Sequence, residues 1–269
     1  MTTPFVQILA RVFVTVMLLA LPLEARVVHA QGLNSLKERM FGGNKSRDPG
    51  ENQAVPKVAR FTSEDGQSFV FDSSQGALLR FDGDDEVWYL TATQGPKGDM
   101  IYKNDVGEPV IKTTRWGGIT LFTDDRPTGD PAAVSGKAAA FVPDRVAPGD
   151  LWLHMAKSAR RASMAVERLI SFEAPDVTPE SSSLYAEAVS VASDAIVAAA
   201  GLQSAKRHDP LDAIHEVQLV DGRPPSATVV NDTLVLKLDA SRGTWGGHPS
   251  SKRILNVLIT SYAVADDRH

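Results

Sequence analysis

The 269-residue chain contains no cysteine. Disulfides, thiol nucleophiles, iron–sulfur clusters and cysteine-type zinc sites are thereby excluded, so stability must come from buried apolar surface. A positive balance is missing too, since 28 Lys and Arg against 33 Asp and Glu give a formal net charge of −5. Sequence-independent nucleic-acid binding needs a basic field to neutralise phosphates, so no nucleic acid is expected as a partner. Several catalytic signatures are absent: Gly-x-Ser-x-Gly, His-Glu-x-x-His, the dinucleotide glycine fingerprint and the Ser-x-x-Lys of penicillin-binding proteins. Ser135-Gly136-Lys137-Ala138 ends like a phosphate loop, but its upstream glycine is misplaced and alanine stands where the metal-binding hydroxyl belongs. No cofactor and no metal site is expected.

At the N-terminus, residues 12–23 (VFVTVMLLALPL) form one apolar run preceded by Arg11 and closed by Val28-His29-Ala30. This is the layout of an export signal, and it predicts cleavage after Ala30 and a periplasmic or secreted protein. A membrane span needs about 20 apolar residues, which this run does not reach before Pro22 and Glu24, and no second long run follows. The mature chain is therefore not expected to be an integral membrane protein.

Residues 31–59 mix Gly, Pro, Asn and charges and read as a flexible arm, leaving 60–269 as a single domain, β-rich over 60–142 and helix-rich over 143–269. Six strand-length runs are predicted at 68–72, 77–81, 87–91, 100–103, 109–113 and 119–123, separated by Gly-, Asn- and Asp-bearing turns. Phe69 and Phe71 oppose Val70, and Ile119 and Leu121 oppose Thr120, so one face is apolar.

Two helices follow. The first, over 151–171, has an apolar stripe of Leu151, Met155, Ala159, Ala162, Val166 and Leu169 and a basic outer side of Lys157, Arg160, Arg161 and Arg168. Thr178, Pro179 and Glu180 open the second, whose Tyr185, Ala188, Val189, Ala192, Ala195, Ile196 and Ala199 face inward. A β pair joined at Asn231-Asp232 and a last helix from about Pro249 complete the chain. The expected fold class is α+β: an antiparallel β meander packed against a helical hairpin, with a C-terminal β pair and final helix.

The stretch at 243–253, GTWGGHPSSKR, concentrates glycines, a histidine, hydroxyls and cations where that helix begins. Lys252 and Arg253 sit near the positive end of the helix dipole, a mismatch that calls for a negative partner. Either a carboxylate of the protein, such as Asp239, fills that role, or Ser250, Ser251, Lys252 and Arg253 form an anion-binding site. Lys103, Asp105, Arg115, Arg126 and His248 are further candidates, the first four flanking meander turns; Lys103, Asp105, Arg115 and His248 make a candidate ligand surface. Asp82, Asp84, Asp85 and Glu86 read as a solvated acidic turn, because they lack calcium-loop spacing. His154 falls off its helix's apolar stripe, and His208-Asp209 and His215-Glu216 are sequence neighbours whose side chains diverge.

The segments EVWYL (86–90), GPKGDMIYKND (95–105), GEPV (107–110) and TRWGGITLFT (114–123), with Phe172-Glu173-Ala174 and the later PSSKRI (249–254), resemble an exported Gram-negative family known only as a domain of unknown function, DUF4908. The resemblance covers nearly the whole mature chain and implies export, with no reaction or catalytic residue to carry over. Two function classes remain. One is an envelope binding or assembly module meeting an anionic small molecule, an envelope polymer or a protein partner; the alternative is a secreted hydrolase or transferase with a site free of cysteine.

Overall fold

A sheet with one apolar face needs a cover, and the barrel formed here covers itself. In the computed structural model, which describes residues 55–203 and 214–266, eight antiparallel strands close into a barrel in sequence order. They are β1 (Val58–Ser63), β2 (Ser68–Asp72), β3 (Ala77–Phe81), β4 (Trp88–Gln94), β5 (Met100–Lys103), β6 (Pro109–Thr113), β7 (Ile119–Leu121) and β8 (Asp130–Gly136). The expected leader and cleavage site, most of the expected arm, and His208-Asp209 lie outside the described residues, as does the side chain of Tyr262.

Phe69, Phe71, Ile119 and Leu121 point into the lumen as the alternation read from the sequence expects, and Phe61, Leu79, Leu90 and Ile111 join them there; all are buried. Phe61 stacks on Phe69 at 5.5 Å between centroids, and Trp88 meets Phe81 edge-on at 5.8 Å. Two strands escape the sequence pattern. β1 begins at Val58, inside the expected arm, and β8 ends on the Ser135-Gly136 pair. Their pairing turns the expected meander into a closed barrel.

The helical hairpin therefore does not cover the meander. α1 (Pro148–Ala165) packs on α2 (Ser182–Gln203), and α2 packs on α4 (Ser251–Asp266), around a second core. That core also takes a four-stranded sheet of order β11-β12-β10-β9, from β9 (Ser171–Glu173), β10 (Glu216–Asp221), β11 (Ser226–Val230) and β12 (Thr233–Leu238). β9 and β10 are parallel and linked through α2, while β11 and β12 make the expected hairpin with Asn231 and Asp232 at φ 47° and 63°.

α1 ends early because Glu167 adopts φ 55° and the Arg168 N–H donates to the Ser163 carbonyl at 3.1 Å. Leu169, expected on the inner stripe, is consequently exposed. α2 starts later than Pro179, since Thr178 and Ser181 form a turn of their own before it. All seven residues of its expected inner stripe are buried. It is the one described helix long and apolar enough to span a membrane, and most of it is spent inside the fold.

Candidate functional site

The β3–β4 loop ties the two cores together. Asp82, Gly83, Asp84 and Asp85 are exposed as an acidic turn should be, but Glu86 turns inward and Val87 is buried behind it. The Glu86 carboxylate accepts the backbone N–H of Ser251 at 3.0 Å and its hydroxyl as well. Burial pushes Glu86 up in pKa, against those hydrogen bonds and with the nearby charges of Asp105 and Asp194. The Val87 N–H donates to Glu187 of α2; burial, then the charge of Glu86, raises Glu187 to about 7.

The β5–β6 turn supplies the second carboxylate. Asn104, itself buried, accepts the Glu108 N–H at 2.8 Å, and Gly107 at φ 90° closes the turn. Asp105 is thus held out to accept the Ser250 N–H at 3.0 Å, the Ser250 hydroxyl at 2.5 Å and Arg253 Nε at 2.8 Å. Ser250 in turn caps α4 by accepting the Arg253 N–H at 3.1 Å, so Pro249 precedes the helix and does not occupy its first position. Lys252 reaches Glu108 at 2.6 Å and Asp124 at 2.7 Å; burial opposes its charge, but these two carboxylates more than offset it and raise its pKa. The negative partner required at this helix start is the protein's own, from Asp105, Glu86, Glu108 and Asp124. Asp239 instead accepts Ser241 and pairs with Arg223 at 3.1 Å.

Above this junction lies a cleft of about 490 Å³, lined by β4, β5, the β5–β6 turn, the Pro224-Pro225 connection, the short helix α3 (Gly243–Gly246) and the start of α4. Strand alternation turns Tyr89 outward to line it while Leu90 stays in the barrel. The α3 backbone lies against that ring: a Cβ on Gly246 would come within 3.1 Å of it. Gly247 is still tighter, because a Cβ there would lie 2.6 Å from the Gly243 carbonyl oxygen and 2.7 Å from that of Asp239.

Arg242 stands over the Tyr89 ring at 5.5 Å, and Lys103 lines the cleft with it. Among the described residues neither side chain forms an ion pair. His248 is 6% exposed, with Nδ1 2.9 Å from the Pro249 carbonyl. Burial lowers its pKa, against the pull of that carbonyl and of Asp105. The ring is therefore neutral at pH 7, and because a carbonyl can only accept, Nδ1 carries the hydrogen. Nε2 is left as an acceptor, buried without a protein partner.

Lys103, Asp105, His248, Ser250 and Arg253 thus converge on one cleft, and Ser251 and Lys252 lie beneath it in an adjoining acidic recess. Arg115 stays apart, its guanidinium spent over Trp116 at 4.4 Å, and Arg126 pairs with Asp65. Sequence reasoning missed Tyr89, Arg242 and Trp245 as cleft residues, although Trp245 lies within the very stretch it singled out and Arg242 immediately precedes it.

A second cleft of about 310 Å³ borders the first through Val87 and Trp245. There His154 Nε2 lies 2.7 Å from the hydroxyl of Ser190, one turn along α2 from Glu187. Among the described residues no hydrogen bond joins His154 to a carboxylate, and no three His, Asp or Glu side chains group as metal ligands.

The family model for the domain of unknown function DUF4908 matches residues 35–258. The chain belongs to this family. The match takes in the barrel, the four-stranded sheet and the residues that line the cleft. No curated protein and no solved structure matches the chain.

Proposed function

We propose that this DUF4908 protein is a binding module of the cell envelope whose Tyr89-lined cleft takes an anionic, hydroxyl-bearing saccharide. The observation that carries the reading is the pair of cations without ion-pair partners, Lys103 and Arg242, beside the Tyr89 ring and the buried acceptor Nε2 of His248. A cation left unpaired in a concave site favours a carboxylate or phosphate. Aromatic walls of Tyr89 and Trp245 suit the apolar face of a sugar ring, and a neutral histidine acceptor suits its hydroxyl. Calorimetric titration with glucuronate, glucose 6-phosphate and glucose tests this. Binding of an acidic sugar, absent for glucose and lost in Lys103→Gln/Arg242→Gln, is expected; equal affinity for glucose or retention in the variant removes the reading.

Envelope placement rests on the leader. Intact-mass measurement on protein from the native host is expected to find Gln31 as the first residue, and a mass that retains residues 1–30 would contradict export.

A second reading, a hydrolase or transferase, is favoured by the contact of His154 with Ser190 beside Glu187. A base within hydrogen-bond reach of a hydroxyl is the first requirement of a serine nucleophile. Labelling by a fluorophosphonate probe, lost in Ser190→Ala, would favour this reading over the first.

A further inference from the structure

One side of α1 packs on α2, and its other side carries large apolar groups into solvent. Trp152 is 72% exposed, Leu153 54% and Met164 67%, and Leu169, just beyond the helix, is 80% exposed. At 3.6 residues per turn, Trp152, Leu153, Lys157, Arg160 and Met164 fall within about 140° of arc. Scattered apolar residues are normal on a surface, but three on one helix face, with Leu169 beside Met164 and cations interleaved, form a patch.

Next to this patch is a shallow recess of about 450 Å³ where Met164, Leu169 and Ile170 surround Arg160 and Arg168. Arg168 Nε and Nη2 are buried there with no hydrogen-bond partner. The one hydroxyl nearby, Ser163, is engaged with the backbone of Ile170, and no carboxylate lines the recess. A guanidinium withdrawn from water without an acceptor is costly, and an oxyanion of phosphate geometry is its strongest complement. The acids of this region are placed elsewhere: Asp194 pairs with Arg161 on the flank towards α2, Asp150 begins the helix and Glu167 follows it.

We propose that this face of α1 docks on an anionic bilayer, with Trp152, Leu153, Met164 and Leu169 entering the interface and a lipid phosphate seated between Arg160 and Arg168. Charge complementarity selects the occupant. A second copy of the chain would set Lys157, Arg160 and Arg168 against themselves across a two-fold axis, because a symmetric dimer presents the same patch on both sides. An anionic lipid surface meets the basic and the apolar groups together, as at peripheral amphipathic helices. The saccharide cleft plays no part in this contact.

Co-sedimentation of the purified protein with vesicles tests the proposal, using phosphatidylglycerol mixed into phosphatidylcholine against phosphatidylcholine alone. Binding to the anionic vesicles is expected to be on the order of 100-fold tighter and to weaken at roughly 0.5 M salt. Met164→Ser/Leu169→Ser should abolish it with an unchanged melting temperature, since both side chains are exposed. Arg160→Gln/Arg168→Gln should reduce it to the level of neutral vesicles, and Arg242→Gln, in the cleft, should bind vesicles as wild type does. No sedimentation with anionic vesicles, equal sedimentation with both kinds, or full binding by either double variant overturns the proposal. So does a dimer in analytical ultracentrifugation that Met164→Ser/Leu169→Ser dissociates.

Discussion

The carboxylate of Asp105 accepts the backbone N–H of Ser250 at 3.0 Å from 145 residues earlier in the chain, and the same carboxylate holds Arg253 at 2.8 Å. One side chain on a barrel turn thus sets the start of the last helix and orients a cation at the rim of the cleft. Asp105→Ala should lower stability by about 1 to 3 kcal/mol, the range for losing charge-assisted hydrogen bonds. A double-mutant cycle with Arg253→Gln, followed by thermal unfolding, should give a coupling above about 0.5 kcal/mol; simple additivity would mean the two residues do not support each other.

Glu187 predicts a pH dependence. Its carboxyl sits at about 7 in the fold against 4.5 ordinarily, so the native state keeps a proton that the unfolded chain releases between these values. Stability therefore falls as pH rises through that window and levels off above pH 7, by on the order of 3 kcal/mol in total. Glu187→Gln keeps an acceptor for the Val87 N–H and cannot ionise. It should match wild type near pH 4.5 and exceed it at pH 8 in denaturant titration; a constant difference across the range would count against the assignment.

Adjacent residues Trp88 and Tyr89 should behave differently, because strand alternation packs the Trp88 ring against the barrel core, leaving it only at the margin of the cleft, and turns Tyr89 outward into the cleft. Trp88→Ala is expected to cost about 2 to 4 kcal/mol, towards the lower end for large aromatics because the ring is only half-buried. Tyr89→Ala should cost less than about half of that and weaken binding of the acidic sugar. Melting curves and titrations on the two variants separate the roles.

Gly247→Ala places a Cβ against two backbone carbonyls that cannot step aside, although the φ of −89° would itself accept alanine. Steric strain of this kind costs about 2 kcal/mol or more. Gly246→Ala meets the Tyr89 ring first, which can tilt, so thermal unfolding should rank Gly247→Ala as the more damaging.

Periodicity made the interior legible: Phe69 and Phe71, Ile119 and Leu121, and the alanine stripe of α2 are where a period of two or of 3.6 puts them. Closure was not legible, because curvature has no local signature. β8 (DPAAVSG) carries a proline and sends only Ala132 towards the barrel core, so nothing in its pattern announces a strand until β1 pairs with it. Glu86 shows the same limit in the site. It ends an acidic run that is exposed up to Asp85, and its partner Ser251 lies 165 residues away. Arg115 misled for the converse reason, since a cation beside a turn can satisfy itself on a neighbouring indole.

The seam between β1 and β8 also sets an order in time. Every other barrel pairing joins strands adjacent in the chain, whereas this one waits for residues 130–136. Until then the first strand has one bare edge, and the entropy of closing so long a loop is spent before any contact repays it. The cleft comes later still, because Asp105 and Glu86 find their partners only when Ser250 and Ser251 arrive. In a chain delivered N-terminus first, the cleft is the last part to exist, and a chain cut short before residue 250 has none.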